Sequence, residues 1–97
     1  MNNYVTRQSA KDDLKEIWHY TANKWNFEQA DYYIRGFFKR FEWLAENPQL
    51  GKHRADVHTG YYSYPEGKHN IFYVISENTI EIIGIIHERI DAPRYFD

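Results

Sequence analysis

The chain has 97 residues, 12 of them basic and 14 acidic, for a net charge of −2, and it contains no cysteine. That excludes a disulfide framework and a thiolate metal site, and one domain over residues 1–97 is the natural reading. Residues 1–50 carry seven charges of each sign and residues 51–97 carry five basic against seven acidic, so neither half has the basic footprint of a protein that binds nucleic acid by charge.

Met1 to Arg7 has no apolar signal core, and the longest apolar runs, 71–75 and 82–86, fall far short of the roughly 20 residues that cross a bilayer. A cytoplasmic protein without membrane association is expected. Nine Tyr, six Phe and three Trp are more aromatics than one small core needs, which points to a surface that receives a partner.

Tyr4 to Gln8 is short and β-prone and predicts a first strand. Ser9 is expected to cap a helix, with Asp12 and Asp13 at its positive end, and Leu14, Ile17, Trp18 and Thr21 form its apolar face. Trp25-Asn26 breaks the pattern. Asn26 is the expected cap of a second helix, whose stripe runs Phe27, Ala30, Ile34, Phe37, Phe41, Leu44, widened by Tyr33 and Phe38. Asn47-Pro48 ends it. Gly36 inside it suggests close packing against the first helix. Residues 49–60 read as a loop. Tyr61 to Tyr64 is a strand leading to a turn at Pro65-Glu66-Gly67, and His69 to Ile75 is a central strand. A turn at Glu77-Asn78, with Asn78 suited to left-handed backbone, leads to a last strand from Thr79 to His87.

The order β-α-α-β-β-β predicts an α+β fold: a helical hairpin on one face of a mainly antiparallel twisted sheet, with the other face partly open. No phosphate loop and no nucleophile elbow occurs. His19, His53, His58, His69 and His87 do not match zinc-ligand spacing, so neither metal nor cofactor is expected. Pairing the last two strands about Glu77-Asn78 brings His69 and His87 to one end of the sheet. Arg54, Lys68, Arg89, Arg94 and Tyr95 are candidates to join them. Such a cluster has the groups that metal-free RNA cleavage requires; the competing reading makes the histidines structural and pairs the arginines with Asp56, Glu88 or Asp91. Trp43, off the main stripe, is a candidate exposed anchor.

Five segments resemble the RelE/ParE toxin superfamily in order along the chain: 9–17, 25–30, 44–51, Gly67 to Tyr73 and His87 to Asp91. The last two look like the central-strand and closing motifs of the ParE branch. The resemblance implies the toxin of a type II toxin–antitoxin pair, which poisons DNA gyrase and is neutralised by a cognate antitoxin in a hetero-oligomer. The alternatives it leaves are a RelE-like cutter of mRNA on the ribosome and a degenerate toxin that keeps only antitoxin binding. On this resemblance Leu14, Ile17, Trp18, Tyr33 and Trp43 would meet the antitoxin. Arg54, Tyr62, Lys68 and His69 would meet the target, and His87, Arg89, Arg94 and Tyr95 would be catalytic if RNA is cut. ParE-like sequences often carry arginine just before the Ser63-Tyr64-Pro65 position; here Tyr62 stands there.

Overall fold

The computed structural model describes residues 3–96; Met1, Asn2 and Asp97, the ends of the expected domain, lie outside the described residues. The elements are β1 (Asn3–Thr6), α1 (Gln8–Lys24), α2 (Phe27–Glu46), β2 (Lys52–His53), β3 (Tyr61–Glu66), β4 (His69–Ser76), β5 (Thr79–His87) and α3 (Ala92–Tyr95). The five strands form one mixed sheet in the order β1-β5-β4-β3-β2. β1 runs parallel to β5, and every other neighbour pair is antiparallel. The helical hairpin lies on one face of this sheet, as the element order predicts.

Asn26 begins α2 as expected: its side-chain oxygen accepts from the Gln29 N–H at 2.8 Å, satisfying a donor that the first helical turn leaves orphaned. The start of α1 differs from expectation. Arg7 holds the cap position without a side-chain capping bond, while the Ser9 hydroxyl donates to the Ile83 carbonyl at 2.8 Å. Asp13 accepts from the Ile85 N–H at 2.9 Å. The reason lies in the sheet. β1 pairs only with Thr79 to Ile82, so β5 runs on without a strand beside it, and these two side chains of α1 satisfy backbone groups that would otherwise be unpaired.

Strand β5 carries one extra residue, Ile83, relative to β4, where the register shifts between Phe72 and Tyr73. The bulge turns both Ile82 and Ile85 toward the helices. There they join Leu14, Ile17, Phe37, Phe41, Leu44, Ile71, Tyr73 and Ile80 in the main core. At about 25 cal/mol per Å² of apolar surface, this layer is the principal source of stability. The Tyr73 hydroxyl, buried in it, donates to the Pro48 carbonyl at 2.7 Å.

The opposite face of the sheet is more covered than expected. Phe72, Ile83 and Ile86 are sealed by Ala92 of α3 and by Phe96, with Val57, Tyr61 and Val74 at the margin. Gly36 also departs from its predicted role. A Cβ there would meet Glu66 Oε2 at 3.4 Å, so it faces the end of β3, where Arg40 and Glu66 pair at 2.9 Å, not α1. The β3–β4 turn falls at Gly67-Lys68 instead of 65–67, and the left-handed residue of the next turn is Glu77 (φ 51°), not Asn78. Lys52 and His53, expected in a loop, form a two-residue edge strand on β3.

Candidate functional site

A groove of 410 Å³ opens beneath the turn of the helical hairpin, between the end of α1, the start of α2 and the adjoining ends of β4 and β5. His69 and His87 are register partners with ring centroids 5.3 Å apart, edge to face. Tyr33 of α2 lies over them. Its oxygen accepts the Lys68 N–H at 3.2 Å and stands 2.8 Å from His69 Nδ1. The Glu66 carbonyl is farther, at 3.4 Å. The hydroxyl is best oriented to donate to His69 Nδ1, which assigns the imidazole proton of His69 to Nε2. The Arg89 N–H donates to His87 Nδ1 at 3.1 Å, which likewise leaves Nε2 of a neutral His87 as the donor.

Gly67 makes this close approach possible. Its φ is +60°, and a Cβ there would lie 2.6 Å from the Tyr33 oxygen, so both the turn and the contact require glycine. Burial, reinforced by the nearby His87 and opposed by Glu88, holds the His69 pKa down to about 4. Burial also raises the Tyr33 hydroxyl above its ordinary value. At neutral pH His69 is therefore an uncharged, hydrogen-bonded imidazole, not a proton donor poised near the working pH.

Around this floor stand aromatic walls. Trp25 is 67% exposed and Tyr32 72%, and Tyr20 lies across from them. Two lysines, Lys24 and Lys68, reach the same groove. Lys24 Nζ sits 5.8 Å from the Tyr20 ring centroid and 6.0 Å from that of Trp25. Among the described residues no group of three or more His, Asp or Glu side chains is placed to hold a metal ion, and no helix is long and apolar enough to cross a membrane.

The residues expected to act together divide between separate places. His69, His87 and Lys68 meet in the groove. Arg54, expected beside them, lies on the other face of the sheet, over the Phe72 ring at 5.1 Å, and pairs with Asp56 through two contacts of 3.0 Å. Tyr62 packs between His53, tilted at 51° with centroids 4.4 Å apart, and Tyr73, on which it stacks at 5.5 Å. Arg94 belongs to α3, and the Tyr95 hydroxyl donates to Asp13 at 3.4 Å. Arg89 joins His87 only through its backbone.

Of the residues expected to meet an antitoxin, Leu14 and Ile17 are core. Trp18 is half-buried; its indole N–H donates to Asp31 at 2.8 Å and its ring stacks on Phe27 at 5.5 Å. Trp43 is not a free anchor: it packs on Tyr64 at 5.1 Å under the Arg40 guanidinium, 4.7 Å away. Only Tyr33 of the five lines the groove. Tyr20, Lys24 and Tyr32 were not singled out from the sequence, and Trp25 was named for the break between the helices without a place in a site. Their signal is that Tyr20 and Lys24 lie one helical turn apart and flank the hairpin break together with Trp25.

Residues 4–92 match the family model described as the ParE toxin of the type II toxin–antitoxin system parDE. The chain belongs to the ParE toxin family. Toxin ParE1 of Mycobacterium tuberculosis is 33% identical over 92 residues, covering 94% of each chain. Toxin ParE1 of Caulobacter vibrioides is 34% identical over 92 residues and covers 95% of each. Among solved structures, a chain from the chromosomal ParDE system of P. aeruginosa superposes with a TM-score of 0.78 at 16% identity, over 90% of this chain and 96% of that one. A chain of the YoeB–YefM complex from Staphylococcus aureus gives 0.61 at 19% identity, over 90% and 97%. At such identities these two likenesses speak for the fold of the ParE chain alone.

Proposed function

We propose that this ParE-family toxin arrests growth by gripping DNA gyrase, without chemistry of its own, and that a cognate antitoxin in the same cytoplasm holds it inactive until released. Family membership supports the toxin, and the toxin–antitoxin complexes among its structural likenesses support an antitoxin partner. Gyrase is the target that the ParE resemblance implies.

One observation favours a binding poison over an RNA-cutting enzyme. The residues named for RNA cleavage do not converge: His87 is in the groove under the helices, where Lys68 is the cation beside it, but Arg89 meets it only through its backbone, Arg94 belongs to α3 and Tyr95 is engaged with Asp13. A base, an acid and a cation must lie within hydrogen-bond reach of the same reacting group to cleave RNA. The neutral, tethered His69 adds nothing to such a set.

The experiment is induction of the toxin in growing cells, with thymidine and methionine incorporation followed in parallel. DNA synthesis is expected to stop first, and co-expression of the antitoxin to restore it. Prior arrest of translation would favour the ribosome as target, and undisturbed growth would mark a toxin that has lost its activity.

A further inference from the structure

We infer that the solvent-facing side of α2 is a dimer interface. It takes the α2 helix of a second copy of this chain, lying antiparallel across it about a two-fold axis at the level of Tyr33. This goes beyond the reading of the chain as a regulated gyrase poison and does not depend on it.

The helix already buries a full apolar stripe, Ala30, Phe37, Phe41 and Leu44, yet it leaves two more phenylalanines in water. Phe27 is 69% exposed and Phe38 42%, and neither joins either core cluster. They lie about three turns apart on one side of α2. Asp31 and Arg35 stand between them on the exposed surface, with Glu28 and Lys39 alongside. Large aromatic rings open to solvent among charges are the side chains that dominate interface energies.

The pattern of this stripe names the occupant. A two-fold contact uses the same patch on both copies, so the patch must match itself. Turning α2 end for end about Tyr33 achieves that match. Phe27 meets the second copy's Phe38, Asp31 meets the second copy's Arg35, and Glu28 meets the second copy's Lys39; each contact occurs twice. The match arises because the carboxylates lie in the first half of the stripe and the cations in the second. Glu28, Arg35 and Lys39 form no ion pair among the described residues, and Asp31 holds only the Trp18 indole. A depression of 580 Å³, lined by Glu28, Asp31, Tyr32 and Arg35, leaves room for the second copy's side chains. A parallel copy would set like charges against each other. One helix from each copy makes a small interface, so the dimer is expected to be weak and to form with rising concentration.

The test uses the full chain, purified free of any antitoxin, and sedimentation equilibrium over a concentration series. A monomer–dimer equilibrium is expected. Phe27→Ala with Phe38→Ala should weaken it by about tenfold or more. Lys39→Glu sets a carboxylate against the second copy's Glu28 and should weaken it too. Adding Glu28→Lys to that variant should restore the wild-type constant, a recovery that a folding defect would not give. The chain has no cysteine, so Tyr32→Cys places one thiol per copy beside the axis. Mild oxidation should link that variant as a dimer and leave His19→Cys, on α1, unlinked. Unchanged far-ultraviolet dichroism shows that each variant is folded. A wild-type chain that stays monomeric at every concentration overturns the inference. So does a dimer that none of these substitutions disturbs, since its interface then lies elsewhere. If the chain stays monomeric and Phe27→Ala with Phe38→Ala weakens antitoxin binding instead, the face belongs to that partner and the inference fails while the antitoxin reading stands.

Discussion

The carboxylate of Asp13 accepts a hydrogen bond from the backbone N–H of Ile85 at 2.9 Å, and through it the first helix closes the edge of the last strand where β1 stops. Ser9 makes the matching bond to the Ile83 carbonyl. Asp13→Ala removes the acceptor and leaves that N–H without a partner, at a cost of about 1–3 kcal/mol, measurable by urea unfolding. Burial raises the Asp13 pKa above 3.8, although the bonds from Ile85 and Tyr95 oppose it. The folded chain thus keeps this proton to higher pH than the unfolded chain does. The group's contribution is greatest below 3.8 and is lost as pH rises through its raised native value. Asp13→Asn, which retains an acceptor without the charge, should abolish that slope.

His69 has the opposite sign. Its folded pKa, about 4, lies below the ordinary 6.5, so between those values the unfolded chain binds the extra proton. Stability is full above 6.5 and is lost as pH falls toward 4. The expected loss is on the order of 1–2 kcal/mol, less than the whole shift implies because the groove is partly open to water. Unfolding titrations across that interval should show it, and His69→Gln should flatten the curve there.

Phe96 covers the second face of the sheet. Its ring lies 5.0 Å from that of Phe72 and 5.6 Å from that of Tyr61, and it fits because residue 84 is glycine, where a Cβ would come within 3.0 Å of Cζ. Phe96→Ala should cost about 2–3 kcal/mol and uncover Phe72, Ile83 and Ile86. A fall in the urea midpoint together with increased binding of a hydrophobic dye would report both effects.

How far the sequence revealed this molecule depended on how local each determinant is. The cap at Asn26, the stripe of α2 and the β4–β5 hairpin follow from neighbours in sequence, and the hairpin register brought His69 and His87 together in advance. The parallel seat of β1, the use of Ser9 and Asp13 by a strand more than 70 residues away, and the covering by α3 and Phe96 depend on pairings that no local pattern encodes. The extra residue Ile83 was also hidden, since a run of isoleucines fits either face. The candidate site was legible in its floor and not in its walls. Arg54 was drawn into it by its chemical type, and Tyr62 was named by its place in the family resemblance; the fold places Arg54 across the sheet and packs Tyr62 between His53 and Tyr73. Tyr20, Trp25 and Tyr32 became a site only once the hairpin turn was set over the strand ends.

The proposed grip on gyrase is tested most directly by ATP-dependent supercoiling of relaxed plasmid by purified gyrase, with toxin added from equimolar to large excess. Loss of supercoiling or accumulation of cleaved DNA is predicted, unchanged by His87→Ala and reversed by antitoxin. Full supercoiling at the highest toxin concentration, with codon-positioned mRNA cuts on translating ribosomes that vanish in His87→Ala, would contradict the account.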